Sequence, residues 1–355
     1  MMSDMVQPQT SLEIQNYKCL ADLKLETVGR LNLIAGKNNV GKTTLLEAVS
    51  IWASFPDPAA IFKIMDRREE PLSELELVQC FLKYFCGEAC KISLFQHSIS
   101  ISPPGQSLPA AGTDDPPWQD FRGANNSRNA EFFSISSSRT SATYELTLDT
   151  KTSAYVGRFS QPYPSVHIPH LPCRMINGVE LDPTTLRSLW DSTSALPAED
   201  TLIELLQILD PKIRKVTLAT SGGKASPKVR LLNDDELSPI SRFGDGLSRL
   251  FNLGLVLVNC KGGLLLVDEI ENGLHHSLFP KLWKFLFEAC RRLNITLFAT
   301  THSHDAAVSF SRAAAADTDA LGILTRLEQR KSGIVAVQFT EQEAYIAAEE
   351  GLEVR

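Results

Sequence analysis

Gly36-Lys37-Asn38-Asn39-Val40-Gly41-Lys42-Thr43 decides the reading of this 355-residue chain. The spacing is G-x-x-x-x-G-K-T, a glycine-bounded loop whose backbone N–H groups converge on phosphate oxygens. Its surroundings fit that use. Leu31-Asn32-Leu33-Ile34-Ala35 before it is a short apolar run of the kind that forms a buried strand. The segment after it, Thr44 to Trp52, reads as a helix with an apolar face. A strand, a tight loop and a helix N-terminus make an anion site, because unpaired N–H groups and the helix dipole both favour negative charge. The loop therefore points to a nucleoside triphosphate.

Composition bounds the alternatives. The length prior gives roughly two domains, or one large domain with an insertion. Hydrophobic residues make up 43% of the chain, enough for a sizeable core. The longest apolar stretch, around Leu250 to Cys260, is about half of what a bilayer needs. Met1-Met2-Ser3-Asp4 has neither the basic start nor the apolar core of a signal peptide. The expectation is a soluble cytoplasmic protein with no membrane partner. Formal net charge is −7, from 35 Lys+Arg against 42 Asp+Glu, which argues against nucleic-acid binding by the whole surface. Arg67-Arg68, Arg291-Arg292 and the Arg326 to Lys331 segment are short, have acidic neighbours and read as solvated faces. The cysteines (Cys19, Cys80, Cys86, Cys90, Cys173, Cys260 and Cys290) are odd in number and scattered, so no disulfide framework is expected. Cys86 and Cys90 form the only close pair, without the spacing or the second pair of a zinc site.

Hydrophobic patterning divides the chain. Ser11 to Gln15 and Leu23 to Glu26 read as strands ahead of the loop. Ser73 to Phe85 is helical by period, with Leu75, Val78, Leu82 and Phe85 on one face. Lys91 to Ile101, Ala142 to Asp149 and Ser153 to Phe159 predict an antiparallel meander. The stretch Pro103 to Ser138, dense in Pro, Gly, Ser, Asn and Asp, predicts a long flexible surface loop. Pro183 to Asp191 and Ala198 to Leu209 read as helices, and a strand pair flanks Ser221-Gly222-Gly223. From Gly244 onward helices and strands alternate, which implies a mostly parallel sheet. A last helix is expected from Thr340.

Two further elements follow the phosphate loop in a consistent order. Leu264-Leu265-Leu266-Val267-Asp268-Glu269 is an apolar run ending in two carboxylates. A buried parallel strand delivers such a pair to the edge of the sheet where ligands sit. Asp268 is then a candidate ligand for Mg²⁺, with Thr43 supplying the other protein oxygen. Glu269 is placed to activate water as general base. The competing reading is a strand end followed by a solvated acidic turn, since Glu271 is close by. Leu297-Phe298-Ala299-Thr300-Thr301-His302 ends a second strand in a polar cluster, and His302 could polarise the γ-phosphate or the attacking water; otherwise it is a satisfied, half-buried imidazole. Ser241 to Arg249 contains a glycine-bounded turn, Gly244-Asp245-Gly246, at a predicted helix start. It is either another anion site or a plain helix cap by Asp245.

In combination these segments resemble the ATP-binding-cassette (ABC) class of P-loop ATPases. The sequences from Gly36 to Ala48, from Asp268 to His275 and from Thr300 to Ser303 look like the ATPase part of overcoming-lysogenisation-defect (OLD) proteins, AAA-type ATPases of ABC layout. The resemblance implies an α/β fold: a P-loop NTPase of ABC-ATPase type, with helices on both faces of a mostly parallel sheet, an antiparallel β meander and a helical insertion. It implies one ATPase domain over 11–355, with 56–182 as an inserted lobe holding the flexible loop 103–138. It implies ATP and Mg²⁺ as ligands. Gly36, Asn38, Asn39, Val40, Gly41, Lys42, Thr43 and Thr44 would cradle the phosphates, with Lys42 on the β and γ groups. Thr43 and Asp268 would hold the metal, Glu269 would act as base and His302 as the switch histidine. Gly244, Asp245, Gly246 and Ser248 would form the signature loop that caps the ATP of a second subunit, which predicts a head-to-tail homodimer or a higher homo-oligomer. Tyr17 or Lys18 would lie near the nucleotide, and Gln96 is the candidate for a glutamine switch. The signature loop is not the Leu-Ser-Gly-Gly of transporters. About 50 residues follow His302, too few for the topoisomerase–primase-type (Toprim) nuclease domain of full OLD proteins. The expected role is a hydrolysing switch for a separately encoded effector, in antiviral defence. The alternative is a DNA-repair head that binds duplex DNA.

Overall fold

The computed structural model describes residues 10–54, 89–102, 130–138, 143–149, 154–159, 171–177, 181–194, 199–221, 224–317, 321–339 and 343. The expected helix Ser73 to Phe85, residues 103–129 and nearly all of the helix expected after Thr340 lie outside them. The chain opens with a hairpin, β1 (Thr10–Tyr17) and β2 (Leu20–Val28), then β3 (Leu31–Ala35) and α1 (Lys42–Ser54). There follow β4 (Cys90–Leu94), β5 (His97–Ser102), β6 (Ala130–Ser137), β7 (Thr143–Asp149) and β8 (Ala154–Phe159). Next come β9 (Cys173–Ile176), α2 (Pro183–Ser194), α3 (Glu199–Leu206), β10 (Ile213–Ser221), β11 (Lys224–Leu231) and β12 (Ser238–Pro239). The remainder alternates: α4 (Asp245–Val258), β13 (Leu264–Val267), α5 (Phe279–Leu293), β14 (Thr296–Thr301), α6 (His304–Ala316), then β15 (Gly322–Arg330) and β16 (Gly333–Phe339). No helix among the described residues is long and apolar enough to cross a membrane.

The central sheet has the order β16-β15-β3-β14-β13-β9. All its neighbours pair in parallel except β16, which returns antiparallel along β15. Its inner strands are buried on both faces, so side chains alternate between two cores. Ile34, Leu264, Leu266 and Phe298 face one core, together with α1 and the inner residues of β1, β2, β4 and β5. Leu33, Leu265, Val267, Leu297 and Ala299 face the other, filled by α3, α4, α5 and α6. Helices thus cover both faces of the parallel sheet, the α/β arrangement expected from the sequence. Helix α1 is sandwiched between the parallel sheet and an antiparallel sheet of order β2-β1-β4-β5-β6-β7-β8. That is why Leu45, Leu46, Ala48, Val49, Ile51, Trp52 and Ala53 are all buried rather than one face only. Trp52 alone, 2% exposed, contributes roughly 1.5–3 kcal/mol by burial.

Two expectations need correction. Ala130–Ser137 is strand β6, paired with β5 and β7, so the last part of the range expected as a loop, 103–138, is strand. In register Ser100 pairs with Ser136 and Ser102 with Ser134, a serine-rich pairing that composition alone reads as loop. Cys173–Ile176, inside the range read as an inserted lobe, is the edge strand of the parallel sheet beside β13.

That edge pairing depends on Gly263. A Cβ there would lie 1.9 Å from Pro172 O, the carbonyl that accepts from Leu264 N at 2.7 Å. Gly263→Ala is expected to push β9 off β13 and to destabilise the fold by about 1–3 kcal/mol. Urea unfolding should show a lower midpoint with the m-value unchanged.

Candidate active site

The phosphate loop leaves β3 at the C-terminal edge of the parallel sheet and turns directly into α1. Gly36 has φ +147°, and a Cβ there would sit 2.8 Å from Leu327 O and 2.9 Å from Val40 Cγ2. Gly41 has φ +84° and is hemmed by Leu20 and Cys19. Asn39, at φ +64°, occupies the left-handed region that asparagine tolerates. Val40 is buried and anchors the loop on the core, while Lys37, Asn38 and Asn39 are exposed. Lys42 Nζ donates to Gly36 O at 2.8 Å and Lys37 O at 2.9 Å, arching the loop around its ammonium. Burial lowers the Lys42 pKa, against the pull of Asp268, Glu271 and Glu269. Thr44 is buried, its hydroxyl 3.8 Å from Cys19 Sγ.

Strand register brings the acidic pair to that loop. Val267 pairs with Ala299, and Thr301 with Ala35, so Asp268 emerges beside Thr300 and one strand away from Gly36. Thr43 Oγ1 donates to Asp268 Oδ2 at 2.9 Å. Thr300 Oγ1 donates to Asp268 Oδ1 at 2.5 Å and accepts from Glu269 N at 2.8 Å. Burial pushes the Asp268 carboxyl up; the Thr300 and Thr43 hydroxyls pull it down, Glu269 adds to the rise and Lys42 opposes it. The paired Thr43 and Asp268 oxygens form a hard donor set that fits Mg²⁺.

Glu269 has φ +51°, which aims its side chain out of the strand. Its Oε2 accepts from Asn272 Nδ2, and its Oε1 is 4.0 Å from His302 Nδ1. His302, 48% exposed, is tied on one side of its ring to Glu271. Arg249, one turn into α4, reaches under the acidic pair. It donates to Glu269 O at 3.0 Å, and to Asp268 O and Asn177 O at 3.4 Å. Burial lowers the Arg249 pKa, opposed by Glu269, Glu271 and Asp268.

Lys42, Thr43, Asp268, Glu269 and His302, far apart in sequence, therefore meet at one sheet edge. Gly244, Asp245, Gly246 and Ser248 begin α4. Gly244 is the capping residue (φ +88°, ψ 170°), with no side-chain cap bond, and Asp245 is the first helical residue, so the Asp245-cap reading does not hold. A Cβ on Gly246 would lie 3.2 Å from Gly273 O, in the turn that follows the acidic pair. Lys18 Nζ is 2.5 Å from Glu47 Oε2 and Tyr17 Oη 3.5 Å from it, which pins the β1–β2 turn to α1 just past the loop. Gln96 lies elsewhere. It sits in the β4–β5 turn, where Phe95 packs edge-on against Trp52 at the far end of α1, about 15 Å along the helix from Lys42. Sequence reasoning assigned no role to Thr300, Asn272, Glu271 or Arg249. The one signal available was the density of polar residues after two apolar runs.

Residues 10–161 match a family model described as an AAA ATPase domain. Residues 194–309 match one described as an AAA domain, putative AbiEii toxin, type IV TA system. An ATP/GTP phosphatase of Helicobacter pylori is 22% identical over 326 residues, covering 83% of this chain and 85% of that protein. An uncharacterized protein of Methanocaldococcus jannaschii is 38% identical over 52 residues, 15% of this chain and 24% of that protein's length. Among solved structures, the SMC head domain from Thermotoga maritima is similar at 11% identity and TM-score 0.44, over 94% of this chain and 99% of that one. An SMC head bound to the C-winged helix domain of ScpA is similar at 11% identity and TM-score 0.49, over 94% and 98%. The two family models divide the site between them, Lys42 and Thr43 in one matched segment, Asp268, Glu269 and His302 in the other. What those two segments build together is a P-loop ATPase.

Proposed function

We propose that this ATPase hydrolyses ATP with Mg²⁺ at the edge formed by β3, β14 and β13, and that 11–355 is one ATPase unit. The observation that carries the assignment is the Thr43–Asp268–Thr300–Glu269 chain of hydrogen bonds, which joins the phosphate loop to the acidic pair. The loop N–H groups and Lys42 would bind the β and γ phosphates, Lys42 exchanging its loop carbonyls for phosphate oxygens. Thr43 and Asp268 would hold Mg²⁺, which when bound neutralises phosphate charge. Glu269 would take a proton from water as the water oxygen bonds to the γ-phosphorus and the bond to the ADP oxygen breaks. His302 would orient that water or the γ-phosphate.

The reading extends to assembly. Gly244 is exposed, with no atom within 4 Å of a Cβ placed on it, and it opens a 14-residue helix whose N-terminus favours an anion. In this reading Gly244, Asp245, Gly246 and Ser248 cap the ATP of a second copy, and ATP drives a head-to-tail dimer. The dimer would act as a switch for a separately encoded effector in antiviral defence. The match of 194–309 to a model whose description includes a toxin–antitoxin system supports that setting.

Lys42→Ala is expected to abolish ATP binding measured by titration calorimetry. Glu269→Gln should keep binding, lower kcat by about 10²–10⁴, and elute as a dimer in ATP. Turnover at the wild-type rate would remove Glu269 from the base role, and a monomer in saturating ATP would remove the dimer.

Asp268 gives a pH-dependent test. Its carboxyl is raised by burial, so the folded state holds that proton to higher pH than the unfolded chain. The associated stability is present below the unfolded carboxylate range and is lost as pH rises through the raised value. Asp268→Asn should therefore raise the melting temperature of the ATP-free protein at neutral pH, and the gain should shrink toward roughly pH 4. The same variant should lose the added stabilisation that Mg²⁺ and ATP together confer on the wild type.

A further inference from the structure

Glu271 is the one acidic side chain at this edge without a part in the chemistry above, and it is the most enclosed of them. It is 8% exposed, against 45% for Glu269 and 48% for His302. A buried carboxylate is costly unless its oxygens are bonded. Here Oε1 accepts one hydrogen bond, from His302 N at 2.7 Å, and lies 3.0 Å from Nδ1 of the same residue, while Oε2, also buried, meets no protein donor. The carboxylate thus grips the backbone and the ring of His302 together. Lys42 and Arg249 supply the counter-charge, each feeling Glu271 electrostatically.

An ionised carboxylate only accepts hydrogen bonds, so the ring nitrogen facing it carries the proton. We propose that Glu271 is a positioning residue that fixes His302 as its Nδ1–H tautomer and holds the ring in one orientation. In that tautomer Nε2 carries no proton and is the ring atom able to accept one. Turn geometry supports the arrangement. Leu274 N donates to Glu271 O and Asn272 N to Glu269 O, both at 3.0 Å, so the 269–274 turn that carries Glu271 is closed by its own backbone. Glu269 and Glu271 then divide the work. Glu269 is the more exposed of the two and is bonded to Asn272, whereas Glu271 is buried against His302.

The proposal rests on the reading of His302 as a site residue, and the test separates the two. The first arm is ¹⁵N–¹H correlation of histidine side chains in the full chain at a pH where His302 is neutral, with His302 identified by its loss in His302→Gln. The wild type should show the Nδ1–H form, Glu271→Gln should keep it through its amide oxygen, and Glu271→Ala should move the proton to Nε2. A wild-type His302 protonated on Nε2 overturns the proposal outright, whatever the kinetics. The second arm is steady-state ATPase activity. Glu271→Ala should lower kcat about 10–100-fold with KM for ATP within about twofold, and Glu271→Gln should recover most of it. Glu271→Ala combined with His302→Ala should be no slower than His302→Ala alone, because both remove one function. Multiplying losses would overturn the positioning role. Wild-type turnover by His302→Ala would instead sink the catalytic reading of His302, leaving the tautomer spectrum to decide the geometry.

Discussion

Two buried polar groups tie the central strands to one another, and the distances at the site follow from the strands' register. Near the start of β3, Asn32 is 1% exposed and fully bonded. Its amide donates to Gly29 O at 2.9 Å and across to Leu297 O on β14 at 3.1 Å, while its oxygen accepts from Gly29 N at 2.8 Å. At the far end of β14, the Thr300 hydroxyl joins Asp268 and the Glu269 amide. A two-residue slip of β14 would keep its side chains on the same faces and would cost little hydrophobic burial. It would take the Thr300 hydroxyl away from Asp268 and from the Glu269 N–H, and a buried donor left unpaired costs about 1–3 kcal/mol. Apolar strands give the sheet its stability; the Thr300 hydroxyl gives β14 and β13 a single alignment.

The alignment concentrates charge. Asp268 is pushed up and Lys42 and Arg249 down by burial, so each ionised group stands against its own desolvation. Three carboxylates and two cations share the region, and each cation is favoured by all three acids. Such a cluster is a poor source of folding stability, since buried ion pairs roughly offset their desolvation cost. In the proposed function its value lies in binding: a triphosphate with Mg²⁺ would bring charges of both signs to groups already stripped of water, where electrostatic interactions are strongest. A site that costs stability when empty and returns it on binding is the thermodynamic basis of a ligand-driven switch.

Much of this was legible in the sequence because the decisive elements are local. Leu264 to Val267 forms a strand with the expected boundaries: four apolar residues lie between a glycine and an acidic pair, and nothing else competes. The phosphate loop is legible for the same reason, its glycines being required by backbone angles within eight residues. Strand β9 was not legible. Cys173, Arg174 and Met175 are each partly or fully exposed on an edge, and what makes them a strand is pairing with Leu264 to Val267, about ninety residues away. Thr300 and Glu271 fail in another way. A threonine after an apolar run and a glutamate in an acidic turn are unremarkable until register places one against Asp268 and burial places the other beneath His302. Arg249 stood inside the quoted glycine-bounded segment, but its contacts are to backbone carbonyls, which leave no trace in side-chain pattern.

The backbone of Glu269 ties these points together. A left-handed glutamate at the end of a strand costs of order 1–3 kcal/mol and persists only where its surroundings over-determine it. Here three contacts do so. Thr300 Oγ1 accepts from Glu269 N, Thr300 O accepts from Ile270 N at 3.0 Å, and Arg249 draws Glu269 O toward α4. The turn at Glu269 separates Asp268, which stays in line with the strand beside Thr43, from a side chain swung toward Asn272 and His302. One local conformation thus gives two adjacent carboxylates different surroundings and different work. Because Arg249 belongs to the helix that begins at Gly244, any displacement of that helix end is felt at the Glu269 carbonyl. In the proposed function, where Glu269 is the base, the strained residue is the point at which an event at the start of α4 would act on its alignment.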